Sequence, residues 1–282
     1  MKNPNHLRME TFGVRGAKLS AALLAVAGLT AGSLAVGGAI PSAIAQSETG
    51  TLKLAANGEA FAREGLVSVD GWEVEFDHLY ASIAGMTAHQ ADPPFDADND
   101  EAIASDVQVT HAEPTTVDLA APDIPAVATV SAPAGRYNAV SWQMVTATDG
   151  PAAGNTIAAI GRARKGDREI VFNIGIDLPI TYVCGDYVGD ERKGFLSAGE
   201  TAEVEATFHF DHVFGDAELP ADDYLNQNAL GFGPLAALAE GRSLDIEMSE
   251  LQAQLSDADY ITLESTIAGL AHVGEGHCAI AT

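Results

Sequence analysis

Two long runs of strict apolar–polar alternation constrain this chain more than any other feature, because a period of two is the signature of a strand with one face buried. In Trp72–Ile83, residues Trp72, Val74, Phe76, His78 and Tyr80 share one face, and Glu73, Glu75 and Asp77 share the other. In Ala202–Phe214, the apolar face carries Val204, Ala206, Phe208, Phe210, His212 and Phe214. The opposite face carries Glu203, Glu205, Thr207, His209 and Asp211. Both runs contain Phe-Asp-His, which places His78 and His212 on aromatic, core-facing surfaces and predicts strands with similar roles, side by side. Shorter strands are expected over 51–54, 127–131, 137–146, 156–164, 168–176 and 180–183. Lys165-Gly166-Asp167 reads as a hairpin turn between two of them. Residues 90–125 read as loop-rich. Hairpin-like spacing predicts a mainly β, antiparallel, sandwich-like domain over 46–216.

After Asp216 the pattern changes. Gly233-Pro234 opens a short helical stretch, with proline suited to a first turn. Ser249-Glu-Leu-Gln and Ser256-Asp-Ala-Asp resemble capping boxes. The second predicts a helix from Asp257 to about Ala271, ended by Gly274. Residues 217–282 are therefore expected to form a helical C-terminal extension packed on the β domain.

Residues 1–45 read as a cleaved export signal. Lys2, Arg8, Arg15 and Lys18 precede a small, apolar run, and Ser42-Ala-Ile-Ala45 offers a cleavage site. The destination would be the periplasm or the exterior, with no membrane insertion after cleavage. The formal charge of −26 over 282 residues opposes binding to nucleic acid and to anionic lipid, and suits cations. In an exported chain the default state of the only two cysteines, Cys184 and Cys278, is a disulfide; a thiolate metal site is the competing reading.

Potential ligands concentrate in His209, Asp211 and His212, and again in His272, Glu275 and His277. Imidazole with carboxylate suits zinc, copper(II) or iron. On a regular strand His209 and His212 point to opposite faces, so they share one ion only where a bulge or a strand end intervenes. His209 with Asp211 and His212 with His78 are the alternative strand pairings. A Cys184–Cys278 bridge would also hold His277 in place. The expected site set is His209, Asp211, His212 and His277, with His78 and His272 in reserve, binding zinc or copper for storage or delivery. The alternative is an envelope or extracellular interaction module whose histidines are structural. Asp96, Asp98 and Asp100 match the start of a calcium loop, but its glycine and final glutamate are missing, so calcium is not expected. No nucleophile motif or His-Glu-x-x-His pattern supports an enzyme.

Four short segments, Gly71–Asp77, Pro133–Tyr137, His209–Phe214 and Gly274–Cys278, give a resemblance to a group of secreted bacterial β-domain proteins with HxDHxF and GEGHC motifs. The resemblance implies a sandwich-like body and a paired cysteine, and implies no activity. Some members of the group carry an acidic, calcium-like loop after the segment matching Phe232–Leu238. Here that stretch, Glu240–Glu247, lacks the spaced aspartates.

Overall fold

The computed structural model describes residues 48–99 and 102–281, and the expected export signal lies outside the described residues. In chain order the elements are β1 (Thr49–Asn57), α1 (Glu59–Glu64), β2 (Leu66–Val67), β3 (Glu73–Ala91), β4 (Ser105–His111), β5 (Thr115–Asp118) and β6 (Ala126–Pro133). Next come β7 (Gly135–Arg136), β8 (Ala139–Met144), β9 (Ile157–Lys165), β10 (Arg168–Ile176), β11 (Ile180–Cys184), β12 (Phe195–Leu196) and β13 (Thr201–Phe208). The remainder is α2 (Asp211–Phe214), α3 (Tyr224–Asn228), α4 (Gly233–Leu238), β14 (Ser243–Glu247), α5 (Met248–Gln254), α6 (Asp257–Ala268), β15 (Ala271–Val273) and β16 (Gly276–Ile280).

As expected, the protein is mainly β with a helix near its C-terminus; β7 and β12 pair separately, and the other strands form one large curled sheet. Its order is β14-β10-β9-β3-β8-β11-β16-β15-β13-β1-β6, with β2, β4 and β5 also paired to β3. The sheet is mixed, because β1 runs parallel to β13 and β10 parallel to β14. The long β3 is its corner. Its first half pairs with β9 and its second half with β8. A bulge between Ala84 and Thr87 interrupts the pairing with β8, and Gly85 takes φ +61° there, a conformation that side chains with a Cβ rarely adopt.

Several sequence expectations need correction. The 90–125 stretch contains β4 and β5, and the 217–282 stretch contributes three strands as well as helices. β15 and β16 lie inside the sheet, between β11 and β13, so residue 216 is not a boundary, and 46–282 forms one unit. The two Phe-Asp-His segments are not sheet neighbours. Phe76 instead faces Phe210 and Phe214 across the core, with ring centroids 6.1 Å away in both cases. α6 starts on the expected cap, Ser256, whose hydroxyl accepts from the Asp259 N–H, but it ends at Gly269. α5 is capped by Glu247 and Glu250, two residues earlier than the expected Ser249 box.

The helices cover the β9–β10 end of the sheet, where Phe232 packs 5.4 Å from Trp72 and 5.5 Å from Phe172. Asp70 locks this arrangement from a distant part of the chain. Its carboxylate accepts the N–H groups of Phe232 and Gly233 at the start of α4, and the Ser68 hydroxyl. Asp70→Ala leaves those donors without that partner, so urea unfolding is expected to show a loss of about 1–2 kcal/mol. An unchanged midpoint would mean that water replaces the carboxylate at no cost.

Candidate metal centre

The site is built where β13 stops. Thr207 and Phe208 pair with His272 and Ala271 of β15, and the His209 N–H donates to the Leu270 carbonyl at 3.0 Å. The chain then turns into helix: Phe210 is already αR, and Asp211–Phe214 forms the single turn of α2. The reason lies in the apolar residues. Phe210, Val213 and Phe214 are all buried, and their three- and four-residue spacing fits one helical face. The expected strand to Phe214 is therefore overturned, and the change brings His209 and His212 to the same side of one turn. Their rings are 5.7 Å apart.

The β15–β16 hairpin supplies the other two imidazoles. His272 and His277 are direct cross-strand partners, with ring centroids 4.5 Å apart. Gly274 makes their turn at φ +60°, and a Cβ there would lie 1.9 Å from the Val188 carbonyl oxygen. His272 stacks on His209 at 4.0 Å and meets His212 edge-on at 5.0 Å. One ring nitrogen each from His209, His212 and His272 converge within 4.8 Å of one another, so the three can hold a metal ion.

The remaining expected ligands divide. Asp211 Oδ1 lies 4.0 Å from His209 Nδ1, beside the cluster. His277 is exposed at its edge, 6.4 Å from His212 between ring centroids. Both His212 and His277 line a groove of about 570 Å³ together with Tyr224, Asn228, Ile261 and Thr266, which gives the site a route from solvent. His78 is elsewhere. A bulge between Phe76 and His78 reverses the alternation, buries Leu79 and turns His78 outward, where Nδ1 is 2.8 Å from Asp118 Oδ2. Its expected place on the core face is thus corrected. Cys184 and Cys278 form a disulfide within the β11–β16 pair, 4.4 Å between Cα atoms, and are therefore not thiolate ligands.

Sequence reasoning missed Glu59. Its Oε2 is 3.5 Å from His209 Nε2. Only the parallel pairing of β1 with β13 brings the Asn57-Gly58-Glu59 turn to the end of β13, so no local pattern marks it.

Burial favours the neutral form of His272 and His212. His272 is 2% exposed, and burial, helped by the neighbouring imidazoles, pushes its pKa down to about 3. His212 is also lowered, chiefly by burial, with the Asp211 charge opposing. Neutral imidazole is the form that binds metal. Burial raises the Asp211 carboxyl against the pull of His209 and His212. Burial likewise raises Glu59, where His209 opposes and Glu275, Asp211 and Glu205 add to the rise. His209 Nε2, Asp211 Oδ1 and both ring nitrogens of His272 are buried without a hydrogen-bond partner in the protein. Unpaired buried polar atoms cost roughly 1–3 kcal/mol each, a cost that a bound cation offsets.

Comparison of the chain with protein-family models, with curated proteins and with solved structures finds no match.

Proposed function

We propose that this is an exported protein that binds one divalent transition metal ion, zinc or copper(II), through His209, His212 and His272, and that it stores or delivers the ion. The observation that carries this reading is the condition of His272. It is buried, stacked in a cluster of imidazoles, and has neither ring nitrogen satisfied by the protein. The described histidines outside the cluster behave differently. Each keeps at least one ring nitrogen bonded, His78 to Asp118, His89 to Ser141 and His111 to Thr115, although His89 Nδ1 is also buried without a partner; His272 differs in having neither nitrogen bonded. That contrast favours metal binding over the alternative of an interaction module with structural histidines.

Three imidazole donors match the preferences of zinc and copper(II). The disulfide is compatible with an oxidising, exported location, and among the described residues no helix is long and apolar enough to cross a membrane. The groove and the exposed His277 beside His212 suit hand-over of an ion to and from solvent or another ligand. The acidic character of the chain attracts the cation and repels nucleic acid.

Elemental mass spectrometry of untagged protein purified from its export route tests the reading. About one zinc or copper ion per chain is expected, consistent with a single cluster, and His209→Ala/His212→Ala should contain none. Metal-free wild-type protein that takes up neither ion on titration would sink the proposal.

A further inference from the structure

We infer that Glu59 supplies the fourth protein donor of this centre, so that the ion is enclosed by three imidazoles and one carboxylate. The inference rests on the metal-binding reading. It begins with topology. β1 and β13 are parallel neighbours in which Asn57 is level with Thr207. Two residues further along each chain come Glu59 and His209. The sheet register thus delivers a carboxylate to the imidazole that opens the cluster.

Glu59 lies outside the group of three whose ligand atoms already sit within 4.8 Å of one another, so it reaches the ion from the His209 side, and its separation from His209 is that of two ligands on one ion. Glu59 Oε2 and His209 Nε2 are 3.5 Å apart, longer than a good N–H···O hydrogen bond, which clusters near about 2.9 Å. Two donors each bonded at about 2.1 Å to a tetrahedral ion are separated by about 3.4 Å. His209 Nε2 has no other protein partner.

The backbone at Glu59 also needs a reason. Among the described residues it is the one non-glycine with positive φ, at +59°. Such a conformation costs on the order of 1 kcal/mol and persists where its surroundings enforce it. Here the Asn57 side chain enforces it, with Oδ1 accepting the Glu59 N–H at 2.8 Å. Asn57 is itself fixed, because its Nδ2 donates to Glu205 at 3.0 Å and its Oδ1 also accepts from Arg63 at 2.8 Å. The strained turn holds the carboxylate beside the His209 imidazole. A centre closed by four protein donors suits retention of an ion, whereas a catalytic centre keeps one position open.

Cobalt(II), a spectroscopic stand-in for zinc, tests this with azide as an external ligand. The mature protein loaded with cobalt should give a tetrahedral visible spectrum that azide leaves unchanged. Glu59→Gly removes the donor while fitting the positive φ, so the variant should fold with its disulfide intact. It should bind cobalt on the order of 10–100-fold more weakly, with a spectrum that shifts on adding azide. Glu59→Gln, which retains the side-chain length, should fall with the glycine variant. An azide response present in both wild type and Glu59→Gly, or absent from both at equal affinity, would overturn the role of Glu59. Wild-type protein that binds no cobalt and no zinc would instead remove the metal-binding reading itself, a separate result.

Discussion

Replacing both cysteines, as Cys184→Ala/Cys278→Ala, is expected to destabilise the protein by about 4–5 kcal/mol in chemical denaturation. The two residues are separated by 94 positions, and the loop-entropy model assigns about that much to closing a loop of this length. For a domain of this size the loss corresponds to a fall in Tm of roughly 10–20 °C. The bridge lies in register between β11 and β16, and β16 holds the His277 partner of His272. Its loss should therefore be felt first in the β15–β16 hairpin, as faster amide exchange at His272 and His277 than in β9 or β10. A double variant within about 1 kcal/mol of wild type would show that the sheet alone confines these strands, against the loop-entropy expectation.

The second large effect is acid destabilisation of the metal-free protein through His272. In the folded state its pKa is about 3; in the unfolded chain it returns to about 6.5. Between these values the unfolded chain carries a proton that the folded protein does not. Stability is therefore lost as pH falls from about 6.5 towards 3, by about 1.4 kcal/mol per pH unit at the limiting slope. His212, also lowered, acts in the same direction. The raised carboxyls of Asp211 and Glu59 act oppositely, because the folded protein takes up their protons first as pH falls. Comparing wild type with His272→Gln isolates the histidine contribution. The variant should lose stability less steeply across this window, and parallel curves would show that His272 titrates normally. Bound metal should add stability at neutral pH, about 2.7 kcal/mol at a free concentration one hundred times Kd. That increment should shrink on acidification as protons compete for the imidazoles.

How far the sequence reaches is clearest at three places. The Lys165–Asp167 hairpin and the Ser256 cap were legible, because turns and caps are decided by residues close in sequence. His209–Phe214 was not. Phe208, Phe210 and Phe214 satisfy a period of two, while Phe210, Val213 and Phe214 satisfy a helical turn. The choice falls to the partners, Phe76 across the core and Leu270 at the end of β13. His78 failed for a related reason: one bulged residue in β3 inverts every side chain after it, and alternation alone does not reveal a bulge.

The sequence by itself therefore determined the β character, the Lys165–Asp167 turn and the Ser256 cap, the pairing of its two cysteines and the residue types able to bind a metal. Tertiary structure decided which of those residues meet. The imidazoles come from the end of β13, from α2 and from a C-terminal hairpin inserted in the sheet, and the Glu59 carboxylate comes from the end of β1. Their convergence depends on strand order and register between segments far apart in the chain. Those are fixed by burial of the aromatic core and by backbone pairing, neither of which leaves a local mark on the sequence.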